Sequence, residues 1–300
     1  MLLLLLVVVL LRLLLLLLLS LSSKMIRDWR RQWFAGTGGL TDETFPFGFV
    51  QLNAIADATA YTEPTYPRDH KEWSVYDAAP TGYAALRWSQ SAGFGFAPNS
   101  LEAKVFQAVI VDTPDTAAGG YNVHSPFKQP VASRLLRAAL PIAYPQQAAQ
   151  PDCVSPRIGK AIVPSGDLKT YSVPIALHGA QKVVIHNATG TPGNNVSGFE
   201  VFVSDGTKSQ WLNTLLVPAV PVSEAVKPEA SVTVRLADER FFEREINKAM
   251  KPIAMRYLWW GNPCGYTCFN CAVYVKVKEI ASIPTGEKDF LPLPPFYQAL

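Results

Sequence analysis

Residues 106–134, FQAVIVDTPDTAAGGYNVHSPFKQPVASR, constrain the fold more than any other stretch of this chain. Val105–Val111 is a mostly β-branched, apolar run without alternation, the mark of a strand buried on both faces, as parallel strands are. Asp112 ends the run, Asp115 follows in a loop that contains glycine, and His124 stands further along that loop. Gln129–Ala143 then has helical spacing, with Val131, Leu135, Leu136 and Leu140 on one face. A strand, a polar loop at its carboxyl end and a helix make up the part of an α/β unit where open sheets gather their functional groups.

The flanking segments extend this reading. Met25–Phe34 carries Trp29 and Trp33 four apart, with Arg27, Arg30 and Arg31 on other faces, and predicts an amphipathic helix lying on a sheet. Phe45–Leu52 predicts a strand, residues 53–82 a long polar connection, and Leu86–Asn99 an aromatic, glycine-rich loop. Residues 146–156 read as a linker between two parts, 25–145 and 157–300. Beyond it, strands are predicted at Lys182–His186, Phe199–Ser204, Ser231–Leu236 and Ile253–Trp259, with one helix at Asp238–Met250 and an extended strap at Phe290–Phe296. The fold expected is α/β: the C-terminal part of a doubly wound parallel sheet, followed by a β-rich, sandwich-like domain.

Hydrophobic residues make up 49% and charged residues 17%, which excludes a disordered chain. The net charge of +3 is spread out rather than striped, so nothing points to nucleic acid. Residues 1–23 are almost pure Leu and Val with Arg12 inside, and then small residues. They read as a signal peptide, with a membrane anchor as the alternative and the only reason to expect contact with a membrane. The four cysteines, Cys153, Cys264, Cys268 and Cys271, then predict one or two disulfides, with a thiolate metal site as the competing reading. No histidine lies near that cluster and no His-Glu-x-x-His spacing occurs, so neither a metal nor a cofactor is expected. Asn187 and Asn195 stand in glycosylation sequons, which export to a secreted or lysosomal location would make usable.

Several words in this sequence resemble one family. Asp112, His124, Lys128 and Arg134 match in type and spacing the pattern Asp…Ile-His-Pro-x-x-Lys…Arg of the sialate O-acetylesterases, which are SGNH-type carbohydrate esterases. MIRDWRRQWF (25–34), FPFGFVQL (45–52), LRWSQSAGFGFAPN (86–99), MRYLWWGNPC (255–264) and LPPF (293–296) resemble further segments of that family in the same order. The resemblance covers about residues 25–300 and the C-terminal half of such an enzyme. The Gly-Gln-Ser-Asn-Met-like block that holds the family's nucleophilic serine does not occur among these residues. The chain also departs from the motif after the histidine, where Ser125-Pro126 replaces an immediate proline and implies a looser loop.

The resemblance implies hydrolysis of O-acetyl esters on sialic acid or other acetylated glycans, in company with an N-terminal esterase half. Ester cleavage needs a nucleophile, a base and oxyanion donors. His124 is the expected base, since imidazole can take and return a proton near neutrality. Asp112 and Asp115 are the two candidates to orient it, because the position three residues before the histidine is Tyr121. Arg87 and Trp88 are candidate substrate contacts, the arginine for a sugar carboxylate, with a buried structural pair as the other reading. Lys128 and Arg134 are either substrate contacts or solvated helix residues pairing with Asp115. The alternative function is a catalytically inactive carbohydrate-binding fragment, in which Trp259 and Trp260 stack on sugar faces.

Overall fold

In the computed structural model the Val105 strand and the one preceding it pair in parallel. The structure describes residues 21–54, 83–115, 123–146, 156–159, 161–177, 181–185, 198–207, 209–217, 229–237, 250–259, 263–264, 268–277 and 290–300. Helix α1 covers residues 21–36 and leads into β1 (Phe47–Val50). Helix α2 (Tyr83–Gln90) precedes β2 (Val105–Ala108), and α3 (Lys128–Ala143) follows it. The strands β1 and β2 align Phe47 with Val105 and Val50 with Ala108. The apolar run predicted as one long strand thus leaves the ladder after Ala108, although Val109, Ile110 and Val111 stay buried. Among the described residues the parallel sheet is two strands wide.

The helices depart from the sequence reading. The aromatic loop Leu86–Asn99 begins as helix, because α2 runs through Gln90. Within α1, Ser22 Oγ donates to Gln90 O and Ser23 Oγ to Glu102. Helix α1 also presents the opposite face from the one its tryptophans suggest. Ile26 and Arg30 are buried, while Trp29 and Trp33 are 47% and 61% exposed. The reason is polar: the Arg30 guanidinium donates twice to Phe45 O, at 3.0 and 2.7 Å, and lies over the Phe45 ring. It thereby satisfies a carbonyl at the entry to β1 that would otherwise be orphaned.

Helix α3 shows the same inversion. The leucines predicted to face the core do not lead it; Leu136 is 42% exposed. Its buried residues are Ser133, Arg134, Arg137 and Ala138. An arginine turned inward requires a buried partner, and the next section names one.

The rest of the chain is antiparallel. The strands β3 (Arg157–Ile158), β4 (Val163–Pro164), β5 (Thr170–Ala176), β7 (Phe199–Ser204), β8 (Ser209–Leu216), β9 (Glu229–Leu236), β10 (Lys251–Tyr257) and β13 (Phe296–Ala299) form an eight-stranded sheet. Its order is β13-β10-β7-β8-β9-β5-β3, with β4 also on β5. A second sheet orders β12 (Phe290–Pro292), β11 (Val273–Lys276) and β6 (Lys182–Ile185). The two sheets share one apolar core, to which Val173, Val201, Val234, Met255, Val273, Val275 and Leu293 all contribute. The predicted strap splits into β12 on one sheet and β13 on the other. The helix expected at Asp238–Met250 lies outside the described residues except for its last residue, a buried methionine.

A buried carboxyl fastens α1 to the loop ahead of β2. Glu102 is 2% exposed, accepts from Ser23 Oγ at 2.9 Å and from Asn99 Nδ2 at 3.3 Å. Burial raises its pKa above the ordinary value, with the hydrogen bonds from Ser23 and Asn99 opposing. Folded Glu102 therefore keeps its proton to higher pH than in the unfolded chain. Its contribution to stability is full below the unfolded value and is lost as pH rises through the raised one. Glu102→Gln, always neutral, is expected to be more stable than the parent at pH 7. That advantage shrinks on acidification toward the ordinary carboxylate range near pH ~4. Urea unfolding at the two pH values checks this, and a pH-independent difference contradicts it.

Candidate active site

The loop that follows β2 is fixed from below before it reaches His124. Thr113 donates its N–H to Ile110 O at 3.0 Å and its Oγ1 to the same carbonyl at 2.8 Å, which closes a turn. Asn53, just past β1, donates Nδ2 to Thr113 O at 2.7 Å and so ties together the carboxyl ends of the two parallel strands. Asp112 lies at the centre of that junction with no exposed surface. Its Oδ1 accepts from Arg134 Nη1 at 2.5 Å, and its Oδ2 from Arg134 Nη2 at 2.8 Å and Tyr274 Oη at 3.0 Å.

This is a bidentate, charge-assisted pair, the strongest hydrogen-bonding geometry that a carboxylate and a guanidinium make. Arg134 Nη1 also donates to Val109 O at 2.9 Å. Tyr274 reaches the site from β11, and its oxygen also accepts the Cys271 N–H at 3.0 Å. Burial, and next the neighbouring Asp112 charge, push the Tyr274 hydroxyl well up, so that it remains a donor. Arg134 thus pairs with Asp112 and is buried, where one reading had it solvated on the helix face. Asp112, one of the two candidates to orient a histidine, has both oxygens engaged by Arg134 and Tyr274.

A third element closes over the loop. A disulfide links Cys264 to Cys271, whose Cα atoms are 4.5 Å apart. The segment it encloses returns to the site: Phe269 donates its N–H to Asp112 O at 2.7 Å, and Cys268 Sγ to Pro114 O at 3.5 Å. The Phe269 ring meets Phe127 at 5.2 Å and lies beneath the Arg134 guanidinium at 5.9 Å. Cys153, the remaining cysteine, lies outside the described residues, as do Asn187 and Asn195.

His124 itself is exposed, two residues before a bend and four before α3. Ser125 beside it is 3% exposed, and its Oγ accepts the Phe127 N–H at 3.1 Å. The serine supplies a side-chain anchor at the position where the family has a proline. Asp115 is half-buried earlier in the loop, and Lys128 is exposed on the first turn of α3. Tyr121 and residues 116–122 as a whole are outside the described part.

The other predicted contacts lie elsewhere in the structure. Arg87 has no exposed surface and donates Nε to Leu52 O and Nη2 to Asn53 O, both at 2.9 Å. Burial brings its pKa down to about 9, so the cation persists at neutral pH. Trp88 is 8% exposed and packs edge-on against Trp259 at 5.7 Å. Trp259 is 1% exposed and has no face to offer a sugar; Trp260 is not described. Arg87 and Trp88 hold α2 to the ends of β1 and to the antiparallel part, and neither offers a surface to a ligand in this arrangement. What the sequence reading missed is Tyr274, for which no local signal exists, since it stands 162 residues from Asp112.

No protein-family model matches the chain. Curated relatives do. It is 26% identical to the sialate O-acetylesterase of Mus musculus over 274 residues, which is 91% of this chain and 39% of that protein. Against the Homo sapiens sialate O-acetylesterase the identity is 25% over 272 residues, or 91% of the chain and 40% of that protein. A shorter match to the Rattus norvegicus protein reaches 32% over 120 residues. The chain spans about two-fifths of the length of the curated relatives it matches. Across nine-tenths of its residues, this chain is similar to curated sialate O-acetylesterases at 25–26% identity.

Proposed function

We propose that this chain provides the base-bearing part of a carboxylic ester hydrolase that removes O-acetyl groups from sialic acids or similarly acetylated glycans. The observation that carries the proposal is the exposed His124, four residues before α3 in the stretch between β2 and that helix, in a chain similar to sialate O-acetylesterases. On this reading β1 and β2 are two strands of a larger doubly wound sheet of the SGNH type. His124 takes the proton of a serine as that serine attacks the acetyl carbonyl, and returns it to the departing sugar alkoxide. The resulting acetyl-enzyme is then hydrolysed by water activated at the same imidazole.

Asp115 is the acid assigned to orient His124, since Asp112 serves Arg134 and Tyr274. Lys128, exposed on the same rim, is assigned to the substrate side. The serine is assigned to a polypeptide segment beyond these 300 residues, as the matched length of the relatives suggests. The Cys264–Cys271 disulfide supports an oxidising, secreted or lysosomal setting.

Hydrolysis of 4-nitrophenyl acetate and of 9-O-acetyl sialic acid by the purified chain, beside His124→Ala, tests the proposal. The same assay is then run with the relatives' N-terminal segment added. Activity that appears with the added segment and falls by about 10²–10⁴-fold in His124→Ala is the expected result. Equal rates for the two proteins in both settings overturn it.

A further inference from the structure

One cavity among the described residues shares none of the groups around Asp112 and His124. It has a volume of about 340 Å³ and lies where the eight-stranded sheet meets itself. The strands β3 and β13 stand at opposite ends of that sheet, yet Arg157 and Ile158 of β3 and Phe296–Gln298 of β13 line one cavity. The sheet therefore bends until its two edges face each other, and each edge brings main-chain donors and acceptors to the space between them. Phe94 and Phe96, from the segment after α2, complete the wall, their rings edge-on at 5.9 Å.

One charged group enters this space. Arg157 is half-buried, and its guanidinium lies over the Phe96 ring at 4.9 Å. Among the described residues it has no carboxylate partner, in contrast to Arg134 and Arg256, which hold Asp112 and Glu200. A guanidinium stacked on an aromatic ring keeps its in-plane N–H fork open for a planar anion. A cavity of this size suits a single sugar ring or a ligand of similar bulk. The aromatic rings suit the apolar face of a sugar, the strand edges and the Gln298 amide suit its hydroxyls, and Arg157 suits a carboxylate. A strand-adding peptide is a poorer fit, because β3 is only two residues long and β13 four.

We infer that the cleft between β3 and β13 is a binding site for a carboxylate-bearing monosaccharide unit, with Arg157 gripping the carboxylate over Phe96. The choice of an acidic sugar among carboxylates rests on the function proposed above. Gly95 supports a built rather than incidental site. It has φ +77°, and a Cβ there would stand 2.6 Å from Pro295 O, so only glycine lets the wall approach the floor this closely.

Saturation-transfer NMR and calorimetry with sialyllactose, free N-acetylneuraminic acid and lactose test the inference on the whole chain, with Arg157→Gln and Arg157→Lys as variants. The sialylated sugar is expected to bind and lactose not to bind. Arg157→Gln should lose about tenfold or more in affinity, as for one charge-assisted hydrogen bond, and Arg157→Lys should fall between it and the parent. Binding of free N-acetylneuraminic acid as tightly as sialyllactose assigns the site to the single acidic unit. Circular dichroism confirms that each variant is folded, and the lysine variant keeps the test alive if the glutamine variant is not. Equal binding of lactose, undiminished binding by either variant, or no binding of any sugar overturns the inference. None of these sugars carries an O-acetyl ester, so failure here leaves the hydrolytic proposal standing, and absence of hydrolysis leaves this one standing.

Discussion

Arg134→Met is expected to destabilise the protein by about 3–5 kcal/mol, because it leaves the Asp112 carboxylate buried without its counter-ion. Asp112 has no exposed surface and Arg134 is 3% exposed, so water cannot replace the lost donors. Tyr274 alone would remain on Oδ2, and Val109 O would lose its partner. The double variant Asp112→Leu/Arg134→Met should recover much of that loss, since a buried ion pair replaced by apolar groups of similar size is often neutral. Urea unfolding of both single variants and the double variant forms the cycle that isolates the pair. Single-variant losses below about 1 kcal/mol, the range of exposed pairs, would place the pair at the surface and contradict the geometry. The loop bearing His124 hangs from this junction, so the folded fraction of Arg134→Met should also show less protection of the Phe269 amide against hydrogen exchange.

Trp259→Ala should cost a similar amount, about 3–5 kcal/mol, through the loss of a large buried ring. Its ring meets Trp88 of α2 at 5.7 Å and Tyr297 of β13 at 6.3 Å. Tyr297 in turn meets Trp211 of β8 at 6.4 Å. This aromatic cluster is the seam between the α/β part and the antiparallel part. Removing its centre should lower the unfolding midpoint of both parts together, read from one denaturant curve by far-UV circular dichroism and another by tryptophan fluorescence. Coincident curves, shifted equally, are the expected outcome. A variant as stable as the parent would mean that the ring does not lie in the core.

Much of the secondary structure near the site was legible in the sequence. The strand start at Val105 matches that of β2 and the helix start at Gln129 falls within one residue of that of α3, although β2 ends three residues early at Ala108, because apolar runs and helical spacing are local properties. The parallel pairing also follows from the lack of alternation in that strand. The inward faces of α1 and α3 were not legible. Apolar periodicity pointed to Trp29, Trp33 and Leu136, whereas Arg30, Arg134 and Arg137 occupy the buried positions. Arg30 turns inward for Phe45 O and Arg134 for Asp112, acceptors supplied from elsewhere in the chain. Nothing in the helix itself encodes that acceptor.

The sequence by itself determined the kinship with sialate O-acetylesterases, the order of the motifs and the position of His124 on a loop between strand and helix. These depend on residue identity and on spacings within one element, which the chain carries wherever it folds. Only the tertiary structure decided that Asp112 belongs to Arg134 and Tyr274, that Arg87 and Trp259 are interior groups, and that Cys264 pairs with Cys271. It also brought the two ends of one sheet to a common cavity around Arg157. Which polar groups are buried, and which partners repay their desolvation, is set by contacts between residues tens to more than a hundred positions apart, and such contacts exist only once the chain has packed.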